Sequence, residues 1–130
     1  MSTNLSPAIE HTYCVSGALY DFSGLGKLAK NAEFVRGMQQ LFVERVPGQL
    51  AQLHATLENQ DWRTMAQRAH SLKSTFGTLK IEPSADLLNQ IERIAIEQGD
   101  TNRLEAMLRV IITATDAVVS LFQQELNRAA

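Results

Sequence analysis

The stretch DWRTMAQRAHSLKSTFGTL, residues 61–79, decides the fold. Met65, Ala69, Leu72, Phe76 and Leu79 recur in it at three- and four-residue steps, the period of a helix with one apolar face. Asp61 stands where a side-chain oxygen can cap the first turn. "KIEPS" then stops the helix, because the residue before Pro83 is pushed out of helical angles. Taking about 100° per residue from His70, the residues Arg63, Ala66, Gln67, Ser74 and Gly77 fall within about 60° of it, and Lys73 lies about 60° to its other side. The apolar set sits roughly 100–180° away, so burying that set turns His70 to water. Ala66, Ser74 and Gly77 are so small that another protein can approach the imidazole along about 16 Å of helix.

The same period extends in both directions. Over Ala32–Glu58, after Asn31 as a cap, Phe34, Met38, Leu41, Phe42, Leu50, Leu53 and Leu57 give an amphipathic helix. Pro47-Gly48 predicts a kink in it, with a complete break as the alternative, since proline removes a backbone bond and crowds the preceding turn. Before it, "YDFSGLGKLAKN" predicts a short helix around residues 22–30, weakened by Gly24 and Gly26 at roughly 1 kcal/mol each. Residues 1–20, with Pro7 and Gly17, read as a loose arm or a short helix laid across the domain. Downstream, Leu87, Leu88, Ile91, Ile94 and Ala95 mark a helix ending at Gly99. Asp100 or Thr101 starts the last one, striped by Leu104, Met107, Leu108, Ile111, Val118, Phe122 and Leu126. No alternating strand pattern competes. The expected fold is all-α: one domain over residues 21–130, an antiparallel up-down four-helix bundle with one or two short N-terminal helices packed as a cover.

Composition narrows the function classes. A chain of 130 residues has the size of one domain; at 45% apolar and 20% charged residues it is too apolar for a disordered chain. Its 12 bases against 14 acids leave no basic footprint for nucleic acid. Cys14 is the only cysteine, which excludes an internal disulfide and a multi-cysteine metal site and suits a reducing compartment. With no basic-then-apolar leader and no run near the roughly 18 apolar residues of a membrane span, a cytoplasmic monomer without membrane contact is expected. Neither a Gly-x-Ser-x-Gly elbow nor a Gly-rich phosphate loop occurs. His54, beside Leu53 and Leu57, reads as a core-edge residue and His11 as part of the arm; neither is read as having a metal partner at i+4. Phe34, Phe42, Phe76 and the methionines are assigned to the core, and Trp62 to the core edge or a partly exposed place. Neither a cofactor nor a metal is expected.

His70 is then the chemical candidate. A neutral imidazole is a nucleophile, and no Asp or Glu lies within a turn of it on its own helix. A phosphoryl group placed there would add a charge of roughly −1.5 to −2, which Lys73 could neutralise while Gln67 or Ser74 hydrogen-bonds its oxygens. Phosphorylated imidazole is labile, and nothing nearby resembles a base that activates water, so a carrier fits better than an enzyme.

"AHSLKSTFG", Ala69 to Gly77, resembles the signature of histidine-containing phosphotransfer (Hpt) domains: a helix-borne His, Lys three later, a small residue next, and Gly at the seventh position. The likeness runs upstream through "FVRGMQQLFVERVPGQLAQLHATLENQDW" and downstream through "ADLLNQIE", covering about residues 20–125. It implies a helical bundle with no catalytic activity of its own, which takes a phosphoryl group from a receiver-domain aspartate and passes it to another receiver in a His-Asp phosphorelay. The implied partners are receiver domains of a hybrid histidine kinase and a response regulator. On this resemblance His70 is the phosphoacceptor and Lys73 its electrostatic partner, while Ser74 and Gly77 keep the docking surface clear. Arg63, Ala66 and Lys80 belong to the same surface. Two positions depart from the family pattern: Ser74 stands where Gly is frequent, and Lys80 where many members have a later Gly. Partner choice is expected to lie around residues 34–41 and 63–80. The alternative reading is a non-catalytic helical module that binds and inhibits a receiver or a histidine kinase. A further one is an unrelated bundle with an ordinary surface histidine. Starting at Met1 and lacking a kinase-like segment, the chain is expected to be free-standing.

Overall fold

The structure, a computed structural model, describes residues 19–129; the expected N-terminal arm with His11 and Cys14 lies outside them. Five helices follow one another: α1 (Phe22–Lys30, a 3-10 helix), α2 (Ala32–Glu58), α3 (Trp62–Thr78), α4 (Ser84–Ile96) and α5 (Thr101–Ala129). No strand occurs among the described residues.

Local chemistry sets their ends. The side chains of Asp21, Asn31, Asp61 and Asp100 accept hydrogen bonds from the backbone N–H of Ser23 (2.7 Å), Phe34 (3.0 Å), Thr64 (3.3 Å) and Arg103 (3.0 Å). Each such cap is worth about 1 kcal/mol to the helix that it opens. Three helices close in the same way. Gln60, Lys80 and Gln98, just past α2, α3 and α4, have left-handed φ angles of 53°, 52° and 56°. The next residues, Asp61, Ile81 and Gly99, donate their N–H back to the carbonyls of Thr56, Phe76 and Ile94 at 2.9, 3.0 and 3.0 Å, the Schellman arrangement. Lys80, where many members of the similar family have Gly, thus occupies a backbone position suited to Gly.

The complete break that was the alternative to a kink at Pro47-Gly48 does not occur: α2 is one 27-residue helix with Pro47 inside it. Both residues are exposed, so water can satisfy the carbonyl that proline leaves free.

The buried stripe of α2 is Phe42, Val46, Leu50, Leu53 and Leu57; that of α3 is Met65, Ala69, Leu72 and Phe76, as its period predicts. Leu88, Ile91 and Ala95 of α4 meet Leu104, Leu108, Ile111, Val118 and Phe122 of α5 in one core. Each large side chain fully buried there contributes about 1.5–3 kcal/mol. Two assignments need correction. Phe34 is 39% exposed and Leu41 47% exposed, not core. Leu41 precedes Phe42, and a step of about 100° carries it off the buried stripe; Phe34 sits on the first turn of α2.

Helix α3 packs against α2 and α4, and α5 likewise packs against α2 and α4. The short α1 touches α2 and α3. It is fixed to the C-terminal end of α3 by close main-chain approach: Asp21 N–H donates to the Leu79 carbonyl at 2.8 Å. A Cβ on Gly24 would fall 2.2 Å from the Thr78 carbonyl oxygen, so only glycine fits that approach. Gly26, at φ 63°, breaks the 3-10 turn.

Candidate functional site

Burial of Ala69 and Leu72 rotates His70 outward, and its side chain is 66% exposed. One helix across, α4 sets Asn89 and Glu92 opposite His70 and Lys73. The Glu92 carboxylate joins the two: Oε2 lies 3.0 Å from His70 Nδ1, and Oε1 accepts from Lys73 Nζ at 3.0 Å. Lys73 Nζ also donates to Asn89 Oδ1 at 3.2 Å. Burial pushes the Glu92 carboxyl up, but hydrogen bonds from Lys73 and His70, with their charges, outweigh it and hold the group below the usual carboxylate range. An ionised carboxylate only accepts, so Nδ1 carries the proton of the neutral imidazole and Nε2 keeps its lone pair.

Glu92 is the residue that sequence reasoning missed. Helical spacing around His70 reveals only acids on its own helix, and this one is 22 residues away, on α4. A signal was present: Asn89 and Glu92 stand three apart in "LLNQIERIAI", hence on one face of α4 beside its apolar stripe.

Of the remaining expected site residues, four line two grooves and two, Gly77 and Lys80, lie exposed outside them. Arg63, Ala66 and Gln67 join His70 and Glu92 in a groove of about 700 Å³ between α3 and α4, which Trp62 and Ile96 also line. Ser74 instead faces a groove of about 360 Å³ between α3 and α2, where Leu41, Met38 and Arg45 contribute. Gly77 is exposed, and a Cβ there would meet nothing within 4 Å, so that stretch of α3 is open. Lys80 is exposed in the turn beyond α3.

Elsewhere, His54 Nε2 lies 3.1 Å from both carboxylate oxygens of Glu105, joining α2 to α5. Glu58, at i+4, is 3.7 Å from its Nδ1, an acidic neighbour that the sequence reading passed over. Tyr20 donates to Glu125 at 2.6 Å, as does the buried Gln39; burial first, then that carboxylate, pushes the Tyr20 phenol up to about 12. Among the described residues no group of three or more His, Cys, Asp or Glu side chains is placed to hold a metal ion. No helix among them is long and apolar enough to cross a membrane.

A family model described as the Hpt domain matches residues 37–129. No curated protein and no solved structure matches the chain.

Proposed function

Because the chain belongs to the Hpt domain family, we propose that it is a phosphocarrier of a His-Asp phosphorelay in which Nε2 of His70 receives the phosphoryl group. The observation that carries this reading is the exposed imidazole with Nδ1 held by Glu92, which leaves Nε2 as the nucleophile. In the forward step the Nε2 lone pair attacks the phosphorus of a receiver's aspartyl phosphate. The P–O bond breaks, the aspartate leaves as a carboxylate, and the P–N bond forms. The imidazole, now protonated on Nδ1 and phosphorylated on Nε2, carries a positive charge that Glu92 offsets, and Lys73 is within one turn to meet the phosphoryl charge. In the return step a second receiver's carboxylate attacks, the P–N bond breaks, and the neutral imidazole leaves with its Nδ1 proton in place. No proton need be moved in either direction, which suits a carrier without acid-base machinery.

The donor and acceptor receivers belong to a hybrid histidine kinase and a response regulator in this reading, and the protein acts as a cytoplasmic monomer. Short connections of the kind that join antiparallel neighbours support an up-down arrangement of α2–α5. Gln67, one turn before His70 and lining the same groove, serves in this reading as a hydrogen-bond partner of a phosphoryl oxygen. Arg63, Ala66, Ser74, Gly77 and Lys80 form the docking surface with it.

The test is label transfer. Incubation with a receiver phosphorylated on its aspartate should give an acid-labile, base-stable label on the wild type and none on His70→Gln, whose helical circular dichroism stays unchanged because the side chain is exposed. A wild type that binds receivers but gains no label overturns the carrier reading in favour of an inhibitory module.

A further inference from the structure

Among the described residues the most exposed large apolar side chain is Ile96, at 66%. It ends α4, one turn beyond Glu92, and lines the α3–α4 groove together with Trp62, Ala66 and His70. An isoleucine left this far in water has no role in the core, and the groove that it borders contains the imidazole itself. Arg63, on the same wall, is the basic group of this groove. Any domain that brings a carboxylate onto Nε2 of His70 must stand over the mouth of this groove, because His70 is one of its walls.

We propose that the α3–α4 groove is the second half of the receiver-docking surface: the receiver seats an apolar side chain from the rim of its aspartate pocket between Ile96 and Trp62, with a rim carboxylate facing Arg63. The proposal rests on the carrier reading above and adds a place and a chemistry for partner choice. The sequence pattern puts that choice around residues 34–41 and 63–80, on α2 and α3, and gives α4 no part in it. The receiver best fitted to this protein is then one with an apolar, acid-flanked rim, and a receiver with a basic rim is disfavoured by Arg63.

The chain carries its own probe, since Trp62 is its single tryptophan and is half-buried in this groove. The experiment uses the whole chain and a receiver domain that labels it, locked as its beryllofluoride complex and with any tryptophan of its own replaced by phenylalanine. Binding should lower acrylamide quenching of Trp62 at least twofold. Ile96→Ser should weaken binding at least fivefold, leave transfer at saturating receiver within twofold of wild type, and be largely rescued by Ile96→Leu. Serine is chosen because a charged residue at this position would stand one turn from Glu92 and disturb its pairing. Unchanged quenching of Trp62 in a saturated complex overturns the proposal. So does an Ile96→Ser affinity within twofold of wild type while Leu41→Ser weakens binding, which would place docking on the α2 side alone. Both outcomes leave the carrier reading standing. Absence of label on the wild type from every receiver tried would remove that reading and the proposal with it.

Discussion

Replacing Glu92 with alanine separates the chemistry of the site from its shape. The carboxylate makes two contacts, to His70 Nδ1 and to Lys73 Nζ, both at 3.0 Å. A hydrogen bond to a charged group contributes about 1.5–3 kcal/mol when well shielded. With the His70 side chain 66% exposed, solvent screening brings the contact below that range, to about 1.4 kcal/mol at most. That contact strengthens as the imidazole becomes cationic on attack, so its loss falls on the transition state and corresponds to about a tenfold slower transfer. The fold should survive, because Glu92 lies outside the buried stripe of Leu88, Ile91 and Ala95. Single-turnover transfer from a phosphorylated receiver, at saturating receiver, measures the step directly. Glu92→Gln, which keeps an acceptor without the charge, should fall between the two. A Glu92→Ala rate within twofold of wild type would refute the argument that the carboxylate fixes the tautomer and supports the cation.

Lys80→Gly should stabilise the protein by about 0.5–1 kcal/mol, the left-handed penalty of roughly 1–2 kcal/mol less the added freedom of unfolded glycine; a urea midpoint at or below that of wild type would be contrary. Gly24→Ala should destabilise by about 1–3 kcal/mol in the same titration, since its Cβ meets the rigid Thr78 carbonyl rather than a movable side chain. Glu92 also shapes the acid limb. Its carboxyl is held below the usual range in the folded state, so its stabilisation is present above the unfolded value and lost as pH falls through the lowered one. The stability gap between wild type and Glu92→Gln should therefore narrow from about pH 5 downward, and a gap constant to pH 3 would contradict the pairing.

Most of the helical frame was legible because it depends on spacing. The α3 stripe from Met65 to Phe76 is buried as its period requires, and the same period turns His70 outward. The caps at Asn31, Asp61 and Asp100 were legible too, being contacts over three residues. What escaped depends on other helices. Phe34 and Leu41 look apolar enough for the core, yet which apolar residues find a neighbour depends on where the adjoining helix lies. Pro47 leaves a kink and a break both open, and α2 runs on through it where Pro47 and Gly48 are exposed to water. Glu92 reaches His70 only because α3 and α4 pack side by side, a fact that no local pattern holds. The left-handed backbone at Lys80 was hidden by a residue type that rarely signals it.

Helix α3 is held at both ends, by the Asp61 cap at one and by Gly24 and Asp21 of the preceding segment against Thr78 and Leu79 at the other. A platform clamped in this way has little backbone disorder to surrender when a partner arrives. The ordering cost of each encounter is then confined to a few side chains, His70 and Lys73 among them, at about 0.5–1.5 kcal/mol for each one immobilised. With little to order, each contact on this face counts more fully toward affinity, so a partner can be held through a small number of side chains.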